Sequence, residues 1–253
     1  MSSNEWDARE YEEKAGFVAH LGQAVLAWLG AAPGENILDL GCGEGVLTVL
    51  IGATGAEVVG LDSSASMVKA ARLRGLEVME ADMHDFVLQR RFDAVFTNAV
   101  LHWTTDVDAV VQRVRAHLKP GGRFVGEFGS FGNVAALAVA VKAGLRLRGW
   151  EENGFRWYFP TKEEFCRVLE DGGFEVERCE LIPRPTPLAA GMMAWMETFA
   201  RPFVLHLPEA ERREVFLIAE NLLKGVLSDN EGRWQADYSR LRFQATLRPA
   251  AQG

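Results

Sequence analysis

The chain has 253 residues, with 27 Lys and Arg against 35 Asp and Glu and a formal charge of -8. Such a length suits one α/β domain with room for elaboration, and the acidic balance leaves no surplus of cations to neutralise a nucleic-acid backbone or an anionic membrane. Cys42, Cys166 and Cys179 show neither metal-ligand spacing nor an even framework, so neither a metal nor a disulfide is expected.

The leading "MSSNEWDAREYEEK" is polar, without the apolar stretch of a signal peptide, and no later run approaches the roughly 20 apolar residues of a membrane span. A cytoplasmic protein is expected. Residues 16–30 place Phe17, Leu21, Val25 and Leu29 at helical spacing before Pro33-Gly34 stops the pattern. Strand-like runs at 36–40, 57–61, 76–80, 92–97 and 122–128 then alternate with helical patterns at 45–53, 64–74 and 106–118. That alternation predicts a parallel sheet covered on both faces. In "LKPGGRF", Pro120 cannot extend the third helix and the paired glycines let the chain turn into the fifth strand.

Beyond Gly129 the pattern predicts a helix over 132–148, the aromatic run "FRWYFP", a helix over 161–171 opened by a Thr161/Glu164 capping box, and a strand over 173–181. The proline-rich "IPRPTPL" reads as a pause in the sheet before helical segments near 189–204 and 208–227, and "ADYSRLRFQATLR" reads as the last strand. One domain is expected: an N-terminal helical segment to about residue 30, a core over about 35–182 and 236–253, and a helical cap over about 188–230.

The first strand runs into "DLGCGEG", whose Gly41, Gly43 and Gly45 let a ligand approach the backbone at the start of a helix. A dinucleotide fingerprint needs a third glycine at position 46, which is Val, and the Gly-Lys-Ser/Thr of a phosphate-cradling loop is absent. Asp62, ending the second strand, is placed to accept hydrogen bonds from both hydroxyls of a ribose.

Taken in order, "ILDLGCGEG", "GLDSSASMV", "EADMHDF", "FDAVFTNAVLHW" and "LKPGGRFV" resemble the successive signatures of the class I S-adenosylmethionine (SAM)-dependent methyltransferases over roughly residues 35–130. The flanking "EWDAREYEEKAGFVAHLG" and the region from "WYFPTKEEF" to "IPRPTPL" are further similar to a bacterial subgroup around trans-aconitate methyltransferase. The resemblance implies a doubly wound, seven-stranded Rossmann-like methyltransferase sheet whose last strand, "LRFQATLR", runs antiparallel, together with SAM as cofactor. Carried over by position, Gly41, Gly43 and Gly45 would line the methionine part, Asp62 would hold the ribose, and Asp82 with Met83 would flank adenine. Asn98 and Ala99 would face the amino-acid end, with Asp39, Cys42, Ser63 and Met67 completing the cofactor site. For Met83, core packing is the other reading.

Methyl transfer from a sulfonium asks the protein mainly to align acceptor and methyl and to exclude water. A carboxylate acceptor attacks unaided, whereas a hydroxyl, amine or ring carbon must lose a proton. His102, in "NAVLHW" at the rim of the sheet, is therefore either the catalytic base or a pocket-shaping hydrogen-bond partner. Trp103 is acceptor floor, lid or core. Trp157 and Tyr158, with Phe159, form pocket wall or a hinge, and Arg156 and Arg184 either fork onto a substrate carboxylate or are solvated. By resemblance the segment carrying Trp6 and Tyr11 folds over the cleft. His20 and His84 read as satisfied or solvated histidines. The expectation is methylation of a small molecule, carboxyl O-methylation favoured; the alternatives are C-, N- or hydroxyl O-methylation of a natural product, or a SAM-binding regulatory protein without catalysis. The absence of N/D-P-P-Y/F at 98–101 disfavours nucleic-acid modification.

Overall fold

A computed structural model of the chain describes Gly22 and residues 24–249. Its centre is a seven-stranded sheet in the order β3-β2-β1-β4-β5-β7-β6. β1 (Asn36–Leu40), β2 (Glu57–Asp62), β3 (Val78–Glu80), β4 (Phe92–Asn98) and β5 (Leu118–Gly129) pair in parallel. β7 (Gln235–Leu247) inserts antiparallel between β5 and β6 (Phe174–Pro187).

Helix α1, described over residues 24–29, and α2 (Val46–Gly52) cover one face, packing Val25, Leu29, Leu47 and Ile51 on Ile37, Phe96 and Val125. α4 (Val107–His117) and α6 (Lys162–Asp171) cover the other, against Phe92, Phe124 and Phe243. Strand alternation explains the split, since Phe124 and Val125 on β5 point to opposite faces. Phe165 meets Phe128 and Phe243 edge-on at 4.8 and 4.9 Å, a ring geometry that adds to burial alone. α3 (Ala65–Leu73) follows β2, its start capped by the Ser64 hydroxyl. The capping box at Thr161 and Glu164 opens α6 as expected.

A second apolar cluster joins α5 (Ala135–Leu147) to α7 (Gly191–Trp195), a π-helical turn (Met196–Ala200), α8 (Arg201–Val204) and α9 (Glu209–Leu223). The helical stretch expected over 189–204 is thus continuous but widened at its middle. The pause expected after residue 181 does not occur: β6 runs on to Pro187, paired with β7 throughout. Pro183, Pro185 and Pro187 fall on every second residue of an edge strand, so the donors they lack face away from β7 and no ladder bond is lost. β5 likewise starts earlier than expected, at Leu118. Among the described residues no helix is long and apolar enough to cross a membrane.

Candidate active site

The carboxyl ends of β1 to β4 open into a cleft of about 1620 Å³. Pockets for drug-sized ligands run to about 300–1,000 Å³, so this one has room for two ligands side by side. Its two halves are built differently.

The first half comes from the β1 and β2 ends. Gly41 and Gly43 adopt left-handed φ of +75 and +55. A Cβ at Gly41 would strike Val100 Cγ2 at 2.2 Å, whereas one at Gly43 would meet nothing within 4 Å and would stand in the cleft that the residue lines. The bare backbone there leaves room that any side chain would fill. Asp62 latches this loop: its Oδ2 accepts the Gly43 N–H and its Oδ1 the Ser64 N–H, both at 2.9 Å. Burial pushes the Asp62 carboxyl up, and those amide bonds oppose the shift. An ionised carboxylate has about four lone-pair sites, so acceptor capacity remains for a ligand hydroxyl. Asp39 is buried behind the glycines, where Thr48 Oγ1 donates to it at 2.7 Å, and burial raises its carboxyl to about 7.

Cys42, Ser63 and Met67 line the same half. Asp82 and Met83 lie beyond β3. Burial works to raise the Asp82 carboxyl, but hydrogen bonds from the His84 backbone and ring outweigh it and the net shift is downward. His84, expected to be solvated or satisfied, lines the cleft and bridges Asp82 to Thr104 Oγ1. Asn98 and Ala99 close the half after β4, with Ala99 held at φ +58 by donating its N–H to Glu127 O at 2.7 Å. A left-handed alanine is strained, and this one stands just before the short 3₁₀ helix Leu101–Trp103.

Gly45 does not line the cleft. At φ +85 it begins α2, and a Cβ there would meet Leu76 Cδ1 at 2.2 Å, so this glycine serves helix packing.

His102 and Trp103 stand where the two halves meet. The His102 ring is buried with no hydrogen bond to its Nδ1 among the described residues. Burial first, and the Arg240 charge second, hold the imidazole well below 6.5, so it is neutral at physiological pH. The second half is otherwise assembled from distant chain: Phe155, Trp157 and Phe159 from the extended segment before α6, Trp195 and Phe199 from the helical layer, and Tyr238 and Arg240 from β7.

Period-two alternation corrects two expectations. With 155, 157 and 159 facing the cleft, Arg156 and Tyr158 point away. Arg156 bonds Phe155 O and pairs with Glu152, while Tyr158 stacks on Phe128 at 6.1 Å and packs into the α6-side core. Arg184 is also unavailable to a substrate, because it and Arg242 share the buried Glu127 carboxylate. Tyr11, Trp6 and His20 lie outside the described residues.

Sequence reasoning missed Arg240, Tyr238, Trp195 and Phe199. Arg240 sits in a central strand, buried, with its guanidinium 4.4 Å from the Tyr238 ring centroid. Tyr238 in turn accepts the Trp195 Nε1–H at 2.6 Å. A cation in the middle of a half-apolar strand was the available signal.

Comparison with known proteins agrees with this geometry. A family model described as a methyltransferase domain matches residues 9–178. An uncharacterized methyltransferase of Schizosaccharomyces pombe is 33% identical, over 97% of this chain and 99% of its own length. A trans-aconitate 2-methyltransferase of Rhizobium etli is 29% identical over 93% of this chain and 96% of its own. The magnesium protoporphyrin IX methyltransferase of Synechocystis, solved with S-adenosylhomocysteine (SAH) bound, superimposes with a TM-score of 0.59 at 18% identity, covering 94% of this chain and 91% of its own. With the matching domain spanning most of the chain and the sheet order and glycine-acid cradle in place, the protein belongs to the class I SAM-dependent methyltransferases.

Proposed function

We propose that the protein transfers the methyl group of SAM to a carboxylate oxygen of a small organic acid. The observation that carries this reading is the distribution of charge in the cleft. The acidic residues lining it, Asp39, Glu44, Asp62, Glu80 and Asp82, all belong to the cofactor half; from Asn98 onward the described lining holds no carboxylate and one guanidinium, that of Arg240. A buried planar guanidinium fits a carboxylate through paired donors, and it disfavours an ammonium acceptor beside it.

In this reading Asp62 holds the ribose, Gly41 and Gly43 admit the amino-acid end, Asp82 and Met83 flank the adenine, and Asn98 and Ala99 close the site. The cofactor, when bound, supplies a methyl on a sulfonium that needs no further activation. Arg240 orients the acceptor, the aromatic wall excludes water, and the helical layer over 188–230 serves as cap. Neutral His102 shapes the site and takes no proton, because a carboxylate has none to lose. The buried Nδ1 of His102, without a hydrogen-bond partner among the described residues, favours one competing reading, a hydroxyl acceptor with His102 as base.

Incubation with methyl-deuterated SAM and a panel of matched acids, alcohols and amines tests the proposal. Acids should yield base-labile methyl esters. Arg240→Met should lower kcat/KM for the acid by about 10- to 100-fold, the value of a charged hydrogen bond, with SAM affinity retained. Labelled ethers or amines in place of esters would refute it.

A further inference from the structure

Asp82, Met83 and His84 follow β3 in succession, and all three line the cleft. His84 holds Asp82 twice at one atom: its backbone N–H donates to Oδ1 at 2.9 Å, and its ring Nδ1 meets the same oxygen at 2.5 Å. Among the described residues Asp82 Oδ2 accepts no hydrogen bond. The Asp82 side chain is 58% exposed, so packing does not fix its orientation and the two donors on Oδ1 do.

The imidazole is itself held from behind. Its Nε2 lies 2.7 Å from the Thr104 hydroxyl, whose oxygen also accepts the Asp106 N–H at 3.1 Å. An ionised carboxylate only accepts, so Nδ1 carries the hydrogen, and in the neutral ring Nε2 accepts from the Thr104 hydroxyl. Thr104 is buried just after the 3₁₀ helix, and it meets His84 across the face of the ring's edge that points away from Asp82. Arg113 Nε, on α4, donates to His84 O at 3.2 Å, which ties the backbone of the loop to the same helix that Asp106 caps. The tautomer and the placing of the ring are therefore set by residues outside the loop.

A carboxylate oxygen matches the N6 amino group of adenine, a donor, and opposes the O6 carbonyl of hypoxanthine, an acceptor. Such a contact discriminates only while the acceptor stays aimed at the base. We propose that His84 is the positioning residue for adenine selectivity: its imidazole, oriented by Thr104, occupies Asp82 Oδ1 and leaves Oδ2 presented to the N6 amino group of the cofactor. The proposal rests on the reading of Asp82 and Met83 as the adenine site.

The test compares SAH with S-inosylhomocysteine, which carries a carbonyl oxygen in place of the N6 amine, by titration calorimetry. The unaltered protein should prefer SAH by about 10- to 100-fold, the value of a hydrogen bond to a charged group. His84→Ala keeps the backbone donor and loses the ring's, so the preference should shrink about three- to tenfold through weaker SAH binding. His84→Asn, whose Nδ2 can stand in for Nδ1, should restore the preference to within about twofold of the unaltered protein. Thr104→Val should shrink it with the His84 ring in place. Asp82→Asn should at least abolish it and, with His84 still donating to the amide oxygen, reverse it, because the amide NH₂ then faces the base. A preference unaltered in His84→Ala and Thr104→Val, equal losses for the two ligands, or no restoration by His84→Asn would reduce His84 to loop packing and overturn the proposal. An effect of Asp82→Asn alone would still leave Asp82 at the adenine. No preference in the unaltered protein, or one that Asp82→Asn does not move, would instead remove Asp82 from the adenine site and the proposal with it.

Discussion

Asp62 offers the sharpest test of the cofactor half, because its carboxylate is expected to do two jobs that a substitution separates by magnitude. It holds the glycine loop through the Gly43 and Ser64 amides, each at 2.9 Å, and in our reading it accepts both ribose hydroxyls. Asp62→Ala releases two amides at a part-buried rim that water can reach, so the fold should lose about 1–2 kcal/mol, within the usual cost of removing one hydrogen-bond partner. For a chain of this size that corresponds to roughly 2–8 °C in Tm. The ribose contribution is larger. Hydrogen bonds to a charged group contribute about 1.5–3 kcal/mol, and allowing for water filling the vacated space, SAM affinity should fall about 10- to 100-fold. Titration calorimetry with SAH and a thermal melt of the ligand-free protein read the two effects separately. Unchanged affinity in a folded Asp62→Ala protein would remove Asp62 from the ribose site and take the motif alignment with it.

Three more outcomes follow from named groups. Asp39 sits near 7 when folded against about 4 unfolded, so the stability it contributes is present below pH 4 and is lost as pH rises through 7, on the order of 4 kcal/mol in all. Asp39→Asn should accordingly be the more stable protein at pH 8 by a few kcal/mol and show little of that advantage at pH 4.5, measured by urea unfolding; an equal difference at both pH values would argue against burial as the cause. His102→Gln should lower turnover less than tenfold, and kcat at saturating SAM should show no limb between pH 6 and 8, because the ring is already neutral there; a hundredfold loss with disappearance of such a limb would favour a hydroxyl acceptor. Glu127→Gln leaves Arg184 and Arg242 facing each other without their shared carboxylate and should cost about 3–5 kcal/mol of stability, with a stability loss below 1 kcal/mol counting against the network.

The half of the cleft proposed to hold the cofactor was legible in the sequence as cleft lining because each of its pieces is local. A strand end, a glycine turn and the helix after it are consecutive, and "DLGCGEG" placed Gly41, Cys42 and Gly43 on the cleft with no knowledge of what packs around them. The same locality explains the error at Gly45, whose glycine requirement is set by Leu76 on another element. β6 was cut short for a related reason. Prolines end a central strand but not an edge strand, and β6 is an edge only because β7 inserts from the far end of the chain. Arg184 read either as a fork onto a substrate carboxylate or as a solvated cation, because nothing near it in the sequence shows that β5 places Glu127 within its reach.

The acceptor half resisted reading because no stretch of sequence contains it. In "FRWYFP" all but one non-proline residue is a large aromatic, so composition gives no hint of which side faces the cleft, and the answer is decided by the core that Tyr158 joins beside Phe128. Trp195 and Phe199 look like ordinary core residues at i, i+4 spacing, and that spacing places them on one helix face without saying that the face is turned to the cleft. Arg240 is the exception that was open to inference. β7 is central, its neighbours Leu241 and Phe243 are fully buried, and a charged side chain there needs a reason. The parity of the strand supplies one: Arg240 shares its face with Tyr238, at the end of the sheet where the β4 turn delivers His102, so an arginine that would burden a core becomes the one described cation in the acceptor half of the cleft.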